Sequence, residues 1–277
     1  MSDTYVRPFS VFGSGGKADT YMLLAVPHAG RFYPKKFLAE TRLKEHELRL
    51  SEDAYADELF WKKSLKIPMI RDNYARNYID VNREPLELNQ RLFKDELPAY
   101  INHSSPRAAK GFGTIPQVVK RGMRIYKGKL TIAEAKERIA KVYRPYHNTL
   151  AQMIKDNVTR FGRAFVIDCH TMPTGKMENL ADVVIGNNHG TAADRETIWM
   201  VAELLDEAGF KVSLNRPYAG GYTTCHYGCP ELGVQAVQIE VRRSLYMDEE
   251  TFEKLPCFNE IAGKLHQVNK VIRTLMS

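Results

Sequence analysis

Unbroken apolar runs constrain this chain more than any other feature. Tyr21-Met22-Leu23-Leu24-Ala25-Val26 and Ala164-Phe165-Val166-Ile167 contain no polar alternation, so as strands they need cover on both faces. Shorter runs at 66–70, 181–185, 211–214 and 236–241 read as further strands. Helical spacing of apolar residues over 51–64, 131–154, 192–208 and 257–275 supplies the covering layers, with a kink expected near Pro145. The repeated strand and helix order predicts an α/β fold with a mostly parallel or mixed sheet and helices on both faces.

A chain of 277 residues fits one large α/β domain, and no composition break divides it, so residues 1–277 read as a single domain. Residues 72–126 carry Pro85, Pro98, Pro106 and Pro116 and read as an irregular insertion of the kind that builds a site wall or lid. The net charge of +7 is spread along the chain; its densest groups, Lys62-Lys63 and Arg242-Arg243, are pairs. That describes a generally basic surface suited to a small anionic substrate, and no nucleic-acid partner is expected. The start of the chain has no secretory pattern, no stretch approaches a membrane span, and four cysteines are too few for a disulfide framework. A cytoplasmic setting is expected.

Several signatures are excluded by context. Gly13, Gly15 and Gly16 precede the first good strand, whereas a dinucleotide fingerprint follows one. No P-loop and no serine nucleophile elbow is present. Cys225, His226 and Cys229 lack the second ligand pair of a closed zinc site. Glycines 220, 221 and 228 predict a mobile or tightly turned loop.

Chemistry collects where the strands end. His28 follows the first run after Pro27, the segment Asp168-Cys169-His170 follows the second, and Glu240 sits late in the last strand between Ile239 and Val241. A catalytic zinc takes three protein ligands and keeps a fourth position open; two histidines and a carboxylate are a standard set. His28 and His170 supply the imidazoles. Asp168, two residues from His170 and therefore on the same strand face, either ligates directly or holds a histidine tautomer from behind. Asp53, beside a predicted helix start, is the other carboxylate.

Glu240 needs a partner or a task, because an unpaired carboxylate in an apolar strand is costly. It is either a general base or the buried partner of an arginine such as Arg76 or Arg83. The other histidines separate by context: His46, His103, His147 and His266 read as surface or satisfied core residues, and His189 and His226 lie in glycine-rich loops. Arg76, Arg83, Arg216, Arg242 and Arg243 offer guanidinium forks for carboxylates, and Asp80-Val81-Asn82-Arg83 sets an amide beside one of them.

Pro27-His28-Ala29-Gly30, Asp53 with Glu58-Leu59, Asp80-Val81-Asn82-Arg83, Asp168-Cys169-His170, Gly220-Gly221-Tyr222-Thr223-Thr224 and Gln238-Ile239-Glu240 with Ser244-Leu245-Tyr246 occur in that order. Taken together they resemble the N-formylglutamate amidohydrolase family. The resemblance implies a three-layer αβα sandwich of the zinc exopeptidase type and hydrolysis of N-formyl-L-glutamate to formate and L-glutamate, the last step of one histidine degradation route. It further implies one Zn2+ per chain, held by His28, His170 and Asp53, with Asp168 supporting a histidine from behind. Glu240 matches the catalytic glutamate, and Arg83 is raised as an oxyanion or substrate group. Arg76, Asn82, Arg216, Tyr222, Thr223, Arg242 and Tyr246 become substrate-pocket candidates. One departure stands out: zinc exopeptidases often pair their first ligands as His-x-x-Glu, and here Arg31 occupies that last place. Two other readings carry different expectations: a deacylase or amidase for another N-acyl amino acid, peptide or cell-wall amide, and a basic binding protein without catalysis.

Overall fold

The structure, a computed structural model, describes residues 6–13, 19–102, 105–175 and 181–277. Gly15, Gly16 and His103 lie outside the described residues. Among the described residues the strands are β1 (Phe9–Phe12), β2 (Met22–Val26), β3 (Met69–Asp72), β4 (Ala164–Met172), β5 (Val183–Gly186), β6 (Val212–Leu214) and β7 (Val234–Arg242). The helices are α1 (Lys35–Glu40), α2 (Glu45–Arg49), α3 (Ala56–Phe60), α4 (Pro106–Ala109), α5 (Ile132–Arg138), α6 (Arg144–Phe161), α7 (Arg195–Glu207), α8 (Tyr222–Tyr227) and α9 (Phe258–Leu275).

The strands form one sheet in the order β1-β3-β2-β4-β7-β5-β6. β2, β4 and β7 are parallel, β5 runs antiparallel to β7, and β6 is parallel to β5. The fold is α/β with a mixed sheet. Every one of the nine positions of β4 is buried, as are all five of β2, so both faces of the sheet's centre are covered. This is what the unbroken apolar runs require.

The chain divides into two compact units, one of Met1–Ser10, Pro27–Glu52 and Arg71–Thr149, the other of Val11–Val26, Asp53–Ile70 and Leu150–Ser277. The second contains the sheet's centre. There α9 buries Phe258, Ala262, Leu265, Val268 and Ile272, the stripe of an amphipathic helix. It meets α3 through the Asn269 amide, which donates to the Phe60 carbonyl, and through the His266 ring at the Glu58 carbonyl.

In the first unit little regular structure forms between 72 and 126, as the prolines imply, and side chains fix the path instead. The Asn89 amide donates to the Ala108 carbonyl, the Thr41 hydroxyl to Ile125, and Gln90 to Asp95. The Arg138 guanidinium lies over the Tyr78 ring at 4.3 Å and donates to the Tyr78 carbonyl and the Tyr126 hydroxyl.

The helix expected over 131–154 runs from α5 to the end of α6, and a π-helical segment, Ile139–Tyr143, precedes Pro145. The wider turn accommodates a proline that cannot donate to the preceding turn. The helix expected from Ser51 begins at Ala56, because Tyr55 adopts a left-handed φ of 64° and the chain turns first. The glycine-rich loop at 220–228 contains α8. β1 lies just before the glycines read as loop, and its partly exposed FSVF gives no strong signal. No helix among the described residues is long and apolar enough to cross a membrane.

Candidate active site

Register builds the centre of the site. Ala25 of β2 pairs with Asp168 of β4, Asp168 with Gln238 of β7, and His170 with Glu240. Paired residues on parallel neighbours share a face, and alternation along each strand adds the residue two positions on. Asp168, His170, Gln238 and Glu240 therefore face the same side. The sequence places His170 just past its strand, yet β4 continues through it to Met172, because β7 extends alongside as far as Arg242 and keeps the ladder paired.

His170 is bracketed by carboxylates. Its Nδ1 lies 2.9 Å from Asp53 Oδ2 and its Nε2 2.8 Å from Asp168 Oδ1. Both acids are buried, Asp168 completely. The Thr224 hydroxyl of α8 donates to the other Asp168 oxygen at 3.1 Å. Arg243 Nη2 donates to Asp53 Oδ1 at 3.0 Å, and its Nε donates to the Thr171 hydroxyl. Burial works against charge on the His170 ring, but Asp168, Asp53 and Glu240 outweigh it and hold the pKa well above the ordinary histidine value. Three carboxylates around one imidazole, one of them paired with Arg243, make a concentration of negative charge of the kind that suits a divalent cation.

Glu240 is buried, and its Oε1 accepts from Gln238 Nε2 at 2.8 Å. Gln238 Oε1 in turn accepts from the Gly221 amide at 2.5 Å. Arg76 and Arg83 lie beside another buried acid.

That acid is Asp80, in the first unit. His28 Nε2 lies 2.7 Å from Asp80 Oδ1, and Arg76 Nη2 donates to Asp80 Oδ2 at 2.9 Å. Arg83 Nε is 3.8 Å from the same oxygen and donates to the Phe112 carbonyl, while its Nη1 donates to the Asn82 carbonyl. Burial raises the Asp80 pKa, but His28, Arg76 and Arg83 overcome this and keep it well below the usual carboxylate range. The Asn82 amide N–H donates to Asp80 as well. The Tyr143 hydroxyl donates to the Arg83 carbonyl, and the His147 ring meets that of Val81, so the turn 80–83 is braced.

The two histidines are held alike. Each places Nε2 on an aspartate, Asp80 for His28 and Asp168 for His170. Metal-binding histidines characteristically use one ring nitrogen for the ion and the other for such a partner. Among the described residues His28, Asp53 and His170, all buried, form a group that could hold a metal ion. Two imidazoles and a carboxylate fit zinc.

The remaining candidates occupy varied places. Tyr246 is fully buried and donates to the Ala54 carbonyl, so it braces the turn that carries Asp53. Arg242 is paired with Asp182 at 2.6 Å. Thr223 is buried within α8, and the Tyr222 ring stacks on His226 at 4.7 Å. Arg216 precedes Pro217 through a cis peptide bond, and its carbonyl accepts from the Ser213 hydroxyl. Asp80, Thr224 and Gln238 stand in the ordered sequence motifs, but sequence reasoning gave them no role of their own, nor did it attach Arg243 to Asp53.

A family model described as N-formylglutamate amidohydrolase matches residues 20–247. An N-formylglutamate deformylase from Pseudomonas aeruginosa is 28% identical over 244 residues, which cover 83% of each chain. One from Pseudomonas putida is 26% identical over 239 residues, 82% of each chain. The crystal structure of an N-formylglutamate amidohydrolase from Ralstonia eutropha JMP134 matches with a TM-score of 0.92 and 29% identity, covering 98% of this chain and 99% of that one. A gene product from Agrobacterium tumefaciens shares the fold at a TM-score of 0.64 and 19% identity, covering 98% and 95%. The chain belongs to the N-formylglutamate amidohydrolase family and is an amide-acting hydrolase.

Proposed function

We propose that this enzyme hydrolyses N-formyl-L-glutamate to formate and L-glutamate, using one zinc ion held by His28, Asp53 and His170. The observation that carries the reading is the His170 imidazole fixed between Asp53 and Asp168, with Glu240 in register on the adjacent strand. The names of the relatives supply the substrate.

When bound, zinc supplies Lewis-acid polarisation of the formyl carbonyl and lowers the pKa of the attacking water. Asp168 and Asp80, hydrogen-bonded to Nε2 of His170 and His28, orient the two rings toward their role as ligands. Glu240 takes a proton from the attacking water as the water oxygen joins the formyl carbon. It then gives that proton to the glutamate nitrogen as the C–N bond breaks, and the remaining acidic proton of the nascent formic acid passes to the freed amine, so one water is consumed and formate and the ammonium form of glutamate leave. Arg83 offers positive charge to the oxyanion that develops on the formyl oxygen. Arg76 is kept as a substrate-pocket residue that also donates to Asp80. Arg216, Tyr222 and Thr223 are the substrate-pocket residues retained from the sequence; Arg242 would have to act from its ion pair with Asp182. On this reading the reaction takes place in the cytoplasm and ends one route of histidine degradation.

The test is formate release from N-formyl-L-glutamate by zinc-loaded protein, alongside N-formyl-aspartate, N-acetyl-glutamate and short peptides. Preference for N-formyl-L-glutamate is expected; a preference for another acyl compound would reassign the substrate. Glu240→Gln is expected to retain zinc and lose about 10²–10⁴-fold in kcat, the range of a general base. Full turnover in that variant would remove Glu240 from the chemistry.

A further inference from the structure

We infer that Gln238 is a positioning residue for Glu240, its side-chain amide orienting the glutamate by anchoring it to the turn that starts α8. The inference rests on the proposed role of Glu240 as the base.

The geometry is specific about which way the amide faces. Gly221 offers a backbone N–H, which can only donate, and it meets Gln238 Oε1. The Gln238 oxygen is thereby assigned to the turn, and its NH2 end necessarily faces Glu240 Oε1. Both ends of one buried side chain are engaged, and Gln238 is only 4% exposed. A buried amide with both ends satisfied holds one rotamer.

The turn that anchors it is itself held. A Cβ on Gly186 would lie 2.4 Å from the Ala219 carbonyl carbon, so the absence of a side chain there lets residues 219–220 lie directly against β5. Three residues after Gly221, Thr224 donates to Asp168. One short stretch, Gly221 to Thr224, therefore fixes the acid behind His170 and, through Gln238, the carboxylate of Glu240. The two halves of the site share one reference point. A carboxylate that must approach a water in one step and a nitrogen in the next needs its plane fixed, and an error near 1 Å costs on the order of 10²-fold in rate.

Two substitutions separate this role from simple support of the turn. Gln238→Glu can still accept from Gly221 but presents an oxygen to Glu240 instead of a donor; Gln238→Leu removes both hydrogen bonds at similar size. Steady-state formate release, zinc content and thermal melting are measured on zinc-loaded protein at fixed pH. Both variants are expected to lose about 10- to 100-fold in kcat, with KM and zinc stoichiometry unchanged. In a Glu240→Gln background, Gln238→Leu is expected to produce no further loss, because its effect passes through Glu240.

Unchanged kcat in Gln238→Glu overturns the inference while leaving Glu240 as base. So does a Gln238→Leu loss that multiplies undiminished in the Glu240→Gln background, since that would mark a separate structural effect. Full activity of Glu240→Gln overturns the base assignment and the inference with it. If Gln238→Leu does not fold, Gln238→Glu and its pairing with Glu240→Gln give the same decision.

Discussion

Asp53 and Asp168 both touch His170, and their surroundings assign them different tasks. Asp53 is neutralised on one oxygen by Arg243 and keeps the other at Nδ1; Asp168 is completely buried and tied to Thr224. Asp53→Ala is expected to abolish stoichiometric zinc binding, because a ligand is lost. Asp168→Asn should retain zinc with an affinity about 10–100-fold weaker, the usual cost of losing a partner behind a ligand. Zinc titration with a competing chelator separates the two, and the reverse order of effects would exchange the roles.

Asp72 is a buried acid of another kind. One of its oxygens accepts from the Tyr74 amide, and the other has no hydrogen-bond partner among the described residues. Burial pushes its pKa well above the ordinary value; the Tyr74 and Asn73 amides oppose this and Asp80 adds to it. The folded state therefore holds this proton more tightly than the unfolded chain does. Stability contributed by the neutral acid is complete below about pH 4, the unfolded value, and is lost as pH rises toward the folded pKa. Asp72→Asn should flatten that loss and make the protein more stable than the parent at neutral pH. Urea unfolding at pH 4 and pH 7.5 measures this, and an unchanged pH dependence would contradict it.

At the scale of elements, backbone proximity decides more than helix or strand propensity. β5 ends at Gly186, where residues 219–220 lie too close for any side chain. Gly186→Ala is expected to cost about 1–3 kcal/mol, the usual penalty of overpacking, read as a lower denaturation midpoint with unchanged m-value. A fully stable variant would show that the turn yields freely. At the start of α5, the Thr131 hydroxyl accepts from the Glu134 amide while the Glu134 carboxylate accepts from the Thr131 amide. This reciprocal cap is legible in the sequence as Thr-x-x-Glu. The turn before α3 is not, because it depends on the left-handed Tyr55, whose ring and hydroxyl are held by Phe258 and the Phe252 carbonyl.

For the molecule as a whole, zinc binding should couple to stability as well as to activity. Dialysis against a strong chelator is expected to abolish formate release and lower the melting temperature, with both recovered by one equivalent of zinc per chain. Recovery only with another divalent ion would change the metal. Much of this organisation is local in origin and could be read from sequence: apolar runs too continuous for a half-exposed strand define the sheet, and His28, His170 and Glu240 stand out because polar groups there are costly unless they have work to do. The ordered motifs also carried the family. Asp168 behind His170 was legible from its two-residue spacing, but the direct long-range contacts were not, because they join residues far apart along the chain: His28 to Asp80 across 52 positions, His170 to Asp53 across 117, and Asp53 to Arg243 across 190. Periodicity reports which face a residue occupies relative to its neighbours in sequence. Which acid meets which imidazole is decided by strand register and by turns that only the assembled fold brings together.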